Sequence, residues 1–145
     1  MAELLSNRYF QPVLVSWLVA QAYKVVRSLI AYRKLDLRVF ISMGGMPSSH
    51  SAGVAALTTA VGLNEGVHSA IFAVALLFAL VVMYDAAGVR RAAMAQARIL
   101  NQIIDELFQG HPISETRLRE LLGHTPFEVL IGALLGIATA YIFQG

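Results

Sequence analysis

The chain has 145 residues, of which 57% are hydrophobic and only 14% charged, with a mean hydropathy of +0.65. Soluble domains carry charged residues at about 25%, so this composition excludes an ordinary water-soluble domain and calls for a membrane-embedded one. No cysteine is present, which excludes disulfides, thiolate catalysis and Cys-ligated metal. The net charge of +2 comes from basic residues scattered among apolar segments, not from a basic face with aromatics, so nucleic acid is excluded as a partner.

The length fits one domain, residues 1–145. No cleavable signal peptide is expected, because Glu3 and Arg8 precede a first apolar run too long for an h-region. Tyr9 to Tyr23 is free of charge, and the pattern continues through Lys24 and Arg27 to about Tyr32. A membrane span needs about 20 apolar residues, so this run makes a first span. Lys24 and Arg27 then either snorkel to the interface or point into the bundle.

Arg33 to Arg38 is a short charged connection. Val39 to Leu63 contains no Lys, Arg, Asp or Glu but is broken by Gly44-Gly45 and Pro47. Residues 39–47 are too few to span and read as a re-entrant or interfacial segment, tolerable where buried in protein or lining a cavity. Ser48 or Ser49 is a good N-cap for a second, short span to about Leu63. Gly66 to Tyr84 is uncharged throughout and makes the clearest span, ending at Asp85.

From Gly88 to Phe108 the pattern becomes amphipathic, with Val89, Ala93, Ala97, Leu100, Ile104 and Leu107 at helical spacing. Ser114 to Leu122 predicts a further short helix, so residues 88–122 form amphipathic helices at the membrane surface. Thr125-Pro126-Phe127-Glu128 is a strong helix start, a capping box with Pro at the first helical position. The uncharged run Val129 to Gly145 completes the last span, and its Gly132, Ala133, Gly136 and Ala140 favour close helix packing. The fold class is therefore an all-α integral membrane bundle of about four spans.

Charge orients this bundle. With four spans, Arg8 falls on one side, and the other ten Lys and Arg residues fall on the opposite side with the Ser48 end. By the positive-inside rule the basic side is cytoplasmic, which predicts a multi-pass protein of the cell membrane. The same side gathers His50, Asp85, His124, Lys24, Arg27, Arg90 and Arg91. Two histidines, several cations and two helix N-termini suit a phosphate group: helix starts offer N–H donors, and arginines grip phosphate oxygens in pairs.

The string Met46-Pro47-Ser48-Ser49-His50-Ser51 resembles the Pro-Ser-Gly-His motif of the type 2 phosphatidic acid phosphatase and vanadium haloperoxidase superfamily. His124-Thr125-Pro126-Phe127-Glu128 is similar to the His-x3-Asp of its third motif. With Tyr84 to Arg91, the pattern looks like a divergent, short branch of that superfamily, and the resemblance covers about Lys24 to Gly136. It implies a phosphohydrolase in which His124 is the nucleophile, Glu128 orients it and His50 protonates the leaving group. It implies phosphate contacts from Ser48, with Ser49 where the family has Gly, and a cationic clamp of Lys24, Arg90 and Arg91. The superfamily's Lys-x6-Arg-Pro motif is missing, and Arg90 and Arg91 lie more than thirty residues before His124; Arg119 is closer.

Each residue also has a plainer reading. His50 caps a helix, His124 is a loop residue, Glu128 closes the capping box, Asp85 pairs with an arginine, and Lys24 anchors at the interface. The functional reading combines them as a metal-independent membrane phosphohydrolase with no cofactor, acting on a lipid phosphate or prenyl (pyro)phosphate at the cytoplasmic face. Its first alternative is a protein that binds or transports lipid phosphates without turnover. A metal-dependent transferase using Asp85, Asn101 and Asp105 and a small assembly subunit are further alternatives. Four short helices leave an apolar perimeter in the lipid bilayer, which makes a homodimer an expectation.

Overall fold

The computed structural model describes residues 2–33, 40, 45–107 and 124–144, without the side chains of 2, 32, 89–94 and 105–107. All regular elements within them are helical: α1 (Ala2–Leu5), α2 (Phe10–Tyr32), α3 (Ser49–Glu65), α4 (Ala70–Ala87), α5 (Val89–Leu107) and α6 (Pro126–Gln144). Three stretches, Phe10–Ala31, Ala70–Ala87 and Pro126–Gln144, are long and apolar enough to cross a membrane. With α3, at 17 residues, they form an up-and-down bundle. The predicted helix at 114–122 lies outside the described residues, as does most of the segment at 39–47.

Local chemistry sets the helix ends. Ser48 caps α3, its hydroxyl accepting from the Ser51 N–H at 3.3 Å. Ser69 caps α4 by accepting from Phe72 N–H at 3.2 Å. This moves the start of α4 from the predicted Gly66 to Ala70, because Gly66, at φ +82°, makes the turn in a backbone region that other residues rarely adopt. Helix α4 runs to Ala87, two residues past the predicted end, and Asp85 lies in its last turn.

Hydrogen bonds tie the two bundle ends. At one end Gln144 donates to the Arg8 carbonyl at 2.6 Å and accepts from Asn64 at 2.8 Å. Tyr9 hydrogen-bonds Glu65, and Arg8 lies 3.7 Å from the same carboxylate. At the other end Ser48 N–H donates to the Glu128 carbonyl at 3.1 Å, and His124 N–H to the Ala86 carbonyl at 3.3 Å. The starts of α3 and α6 thus meet the end of α4, and α3 and α6 run parallel.

The core is made of small residues. Ala20, Ala52, Ala56, Ala60 and Ala140 are fully buried, while Ile30, Leu77, Tyr84 and Ile142 face outward. In a bilayer large apolar side chains gain nothing by turning inward, and association rests on close packing and interhelical hydrogen bonds. Helix α3 is the hub, packed against α2, α4 and α6. Thr58 bridges it to α4 by a 3.1 Å bond to the Ala75 carbonyl. At Gly132 and Gly136 the backbones of α6 and α3 touch directly: a Cβ there would lie 2.3 Å from the Ser48 carbonyl oxygen and 2.1 Å from that of Ala52. The small face of α6, expected to receive a helix, receives α3 of its own chain.

Candidate functional site

The site is assembled where α3 and α6 begin. The α6 capping box forms as its sequence predicts. Thr125 Oγ1 accepts from Glu128 N–H at 3.3 Å, and Glu128 Oε2 accepts from Thr125 N–H at 3.0 Å. The same Oε2 lies 3.3 Å from His124 Nδ1. The cap therefore aims the carboxylate at the imidazole, and the structural and functional readings of Glu128 are one interaction. With Nδ1–H donating to Glu128, the lone pair of His124 falls on Nε2. That atom is buried and has no hydrogen-bond partner among the described residues, in a residue only 1% exposed.

His50, on the first turn of α3, brings its ring centroid to 6.3 Å from that of His124, with the planes inclined at 63°. His50 is exposed whereas His124 is buried. Ser48 is fully buried and Ser49 nearly so. The Ser48 hydroxyl accepts from Ser51 N–H and from the Ser51 hydroxyl, the latter at 3.0 Å. Its own proton remains to be donated. Lys24, 5% exposed, points into the bundle, within electrostatic reach of Glu128 and His124. Of the two alternatives for Lys24, snorkelling is the one the structure rejects; Arg27, one turn on, is exposed.

Burial pushes the His124 imidazole below its ordinary value of 6.5. Lys24 and His50 push the same way, and the Glu128 hydrogen bond and charge oppose them. The group is therefore neutral at pH 7. The unfolded chain binds this proton first, so the folded state loses stability as pH falls below 6.5 toward the lowered value. Thermal melts in detergent are expected to show that slope between about pH 7 and 5, and His124→Gln is expected to flatten it.

One expected member stands apart. Asp85 is exposed at the end of α4 and makes no hydrogen bond or ion pair with the histidines; its neighbour Ala86 supplies the contact, through a carbonyl. Arg90 and Arg91 fall in the first turn of α5, close to that junction in the chain, but their side chains lie outside the described residues, as do Arg117 and Arg119. Among the described residues no three His, Asp or Glu side chains gather in a metal-holding group.

Two residues at this end received no role from the motifs. Ser51 is fully buried and bonded to Ser48. Gln21 is 5% exposed, one turn before Lys24, with its side-chain oxygen buried and without a partner among the described residues. A carboxamide three residues before a lysine inside a span was the available signal.

No solved structure matches this chain. The chain is 41% identical, over 98% of its length and 99% of the relative's, to "Uncharacterized membrane protein YuiD" of Bacillus subtilis (strain 168). That relative and the three apolar helices agree with a multi-pass membrane protein. With a family model matching residues 5–139, the chain belongs to the divergent PAP2 family.

Proposed function

We propose that this protein is a metal-independent phosphohydrolase that cleaves a lipid phosphate or prenyl (pyro)phosphate through a phospho-histidine on His124. The observation that carries this reading is the geometry of His124: Nδ1 lies 3.3 Å from the Glu128 carboxylate, and the buried Nε2 has no hydrogen-bond partner among the described residues. A nucleophile needs that combination of fixed tautomer and unspent lone pair.

The steps balance. The substrate's phosphate enters between the imidazoles as the exposed His50 turns aside. His124 Nε2 attacks phosphorus, the P–O bond to the lipid breaks, and protonated His50 gives its proton to the leaving oxygen. A water molecule then attacks the phospho-histidine and passes a proton to His50. The P–N bond breaks, releasing inorganic phosphate and neutral His124. Lys24 stabilises the charge on the phosphoryl oxygens, joined by Arg90 or Arg91, and Ser48 and Ser49 offer hydrogen-bond donors. Asp85, being exposed and apart, has no step here.

In this reading α3 is a fourth span and the basic end is cytoplasmic. The charge pattern supports the membrane placement: with four spans, ten of the eleven basic residues fall by sequence position on the side of the histidines. Phe40 stacks edge-on against Trp17 at 5.6 Å, two turns below Lys24 on α2.

The test is chemical. Purified protein mixed with ³²P-labelled phosphatidate and quenched in alkali is expected to carry label on the peptide containing His124. Vanadate is expected to block labelling, and a chelator is not. Phosphate release with no label on that peptide would overturn the mechanism.

A further inference from the structure

The second half of α5 carries an apolar face that no described helix covers. Ile99, Leu100, Ile103 and Ile104 are all exposed, and among the described residues α4 is the only helix that α5 contacts. At about 100° per residue these four positions span an arc of about 140°. Arg98 and Gln102, also exposed, fall outside that arc. An unbroken apolar patch of this kind marks a surface with a partner.

The chain fixes where that partner lies. Only Gly88 separates α5 from the end of α4, an apolar span whose Leu77, Leu80, Val81 and Tyr84 face outward. Helix α5 therefore starts at the membrane surface. It does not turn back across the bilayer, because its 19 residues include Arg90, Arg91, Arg98, Asp105 and Glu106.

Two partners compete at that level: the leaflet itself and α5 of a second copy. The breadth of the face decides between them. Two helices meet along a narrow seam of alternating three- and four-residue steps. Ala97, Leu100 and Ile104 would fill such a seam, and Ile99 and Ile103 would stay in water. A broad apolar arc suits a broad apolar surface, which the bilayer supplies. Charge agrees. Residues 89–104 contain three arginines and no acidic residue, and the leaflet that a basic end faces is the anionic cytoplasmic one.

We infer that α5 is an in-plane anchor that lays Ile99, Leu100, Ile103 and Ile104 into the headgroup boundary of an anionic leaflet. The anchor starts three residues after Ala86, whose carbonyl accepts from His124 N–H at 3.3 Å. It thus holds the histidine end at headgroup depth. The inference stands whether or not that end hydrolyses anything.

The experiment uses the absence of native cysteine. Spin labels are attached singly to Leu100→Cys, Ile103→Cys and Gln102→Cys in the full-length protein. Each is placed in nanodiscs of dioleoyl phosphatidylcholine, alone or in equal parts with dioleoyl phosphatidylglycerol. Collision rates with oxygen, which concentrates in lipid, and with a water-soluble nickel chelate give the depth of each label. The oxygen-to-nickel ratio is expected to be several-fold higher at Leu100 and Ile103 than at Gln102, and the contrast is expected to grow with phosphatidylglycerol. A ratio that is equal at all three positions, whether high or low, would overturn the anchor. So would labels at Leu100 and Ile103 that are shielded from both reagents, the signature of a protein partner; dipolar broadening between labels would identify a second copy. An equal contrast in the two lipid mixtures would overturn the anionic preference.

Discussion

His124→Ala is expected to reduce phosphate release from a lipid phosphate by about 10⁴-fold or more, because it removes the atom that forms the bond to phosphorus. The protein should remain folded. The contact that fastens residue 124 to α4 is its backbone N–H on the Ala86 carbonyl, which alanine keeps. The capping box keeps both its bonds, since Thr125 and Glu128 supply them. His50→Ala is expected to lose less, about 10²- to 10⁴-fold, as befits a proton donor, and to lose least with a substrate whose leaving group needs no proton, such as p-nitrophenyl phosphate. Initial rates of phosphate release, read beside a melting curve for each variant, check both. Wild-type turnover in His124→Ala would remove this residue from the mechanism.

The second large effect is on assembly. A Cβ at residue 136 would lie 2.1 Å from the Ala52 carbonyl oxygen and 2.8 Å from the Ala56 nitrogen. Both are backbone atoms inside α3 and cannot swing away. Gly136→Ala therefore drives α6 off α3, and with it the bond from Ser48 N–H to the Glu128 carbonyl at the site. A destabilisation of about 3 kcal/mol is expected, seen as a fall of roughly 10 °C in melting temperature in detergent. Gly53→Ala is the control: its Cβ would meet only Val13 Cγ1 at an ordinary 3.7 Å, and it should melt near wild type. Equal melting of Gly136→Ala and wild type would refute the direct backbone contact.

Much of this was legible beforehand, for physical reasons that differ by residue. The capping box at Thr125 and Glu128 needs only local geometry, so the sequence specifies it, and it formed as written. The charge-free runs before Lys24 and after Glu128 have no soluble solution and had to become long apolar helices. Asp85 was less legible: the roll of the last turn of α4 decides where its side chain faces, and that is set by packing and not by the local sequence. Lys24 had two admissible fates, and only tertiary packing chose the buried one. Gln21 belonged to no motif, so its burial without a partner emerged only once α2 had a packed face. The meeting of His50 and His124 depends on the parallel course of α3 and α6, which glycine spacing suggested but could not assign to a partner helix.

Helix α3 is the hub of the fold and also its shortest and least oily long apolar segment. Rich in Ser, Thr, Gly and Ala, it has little claim of its own on a bilayer. Its closest partner, α6, emerges from the ribosome about sixty residues later. In the four-span reading, α3 enters the membrane only together with the last helix. A chain truncated before Pro126 is not a smaller version of this protein. It lacks the surface on which α3 packs most closely.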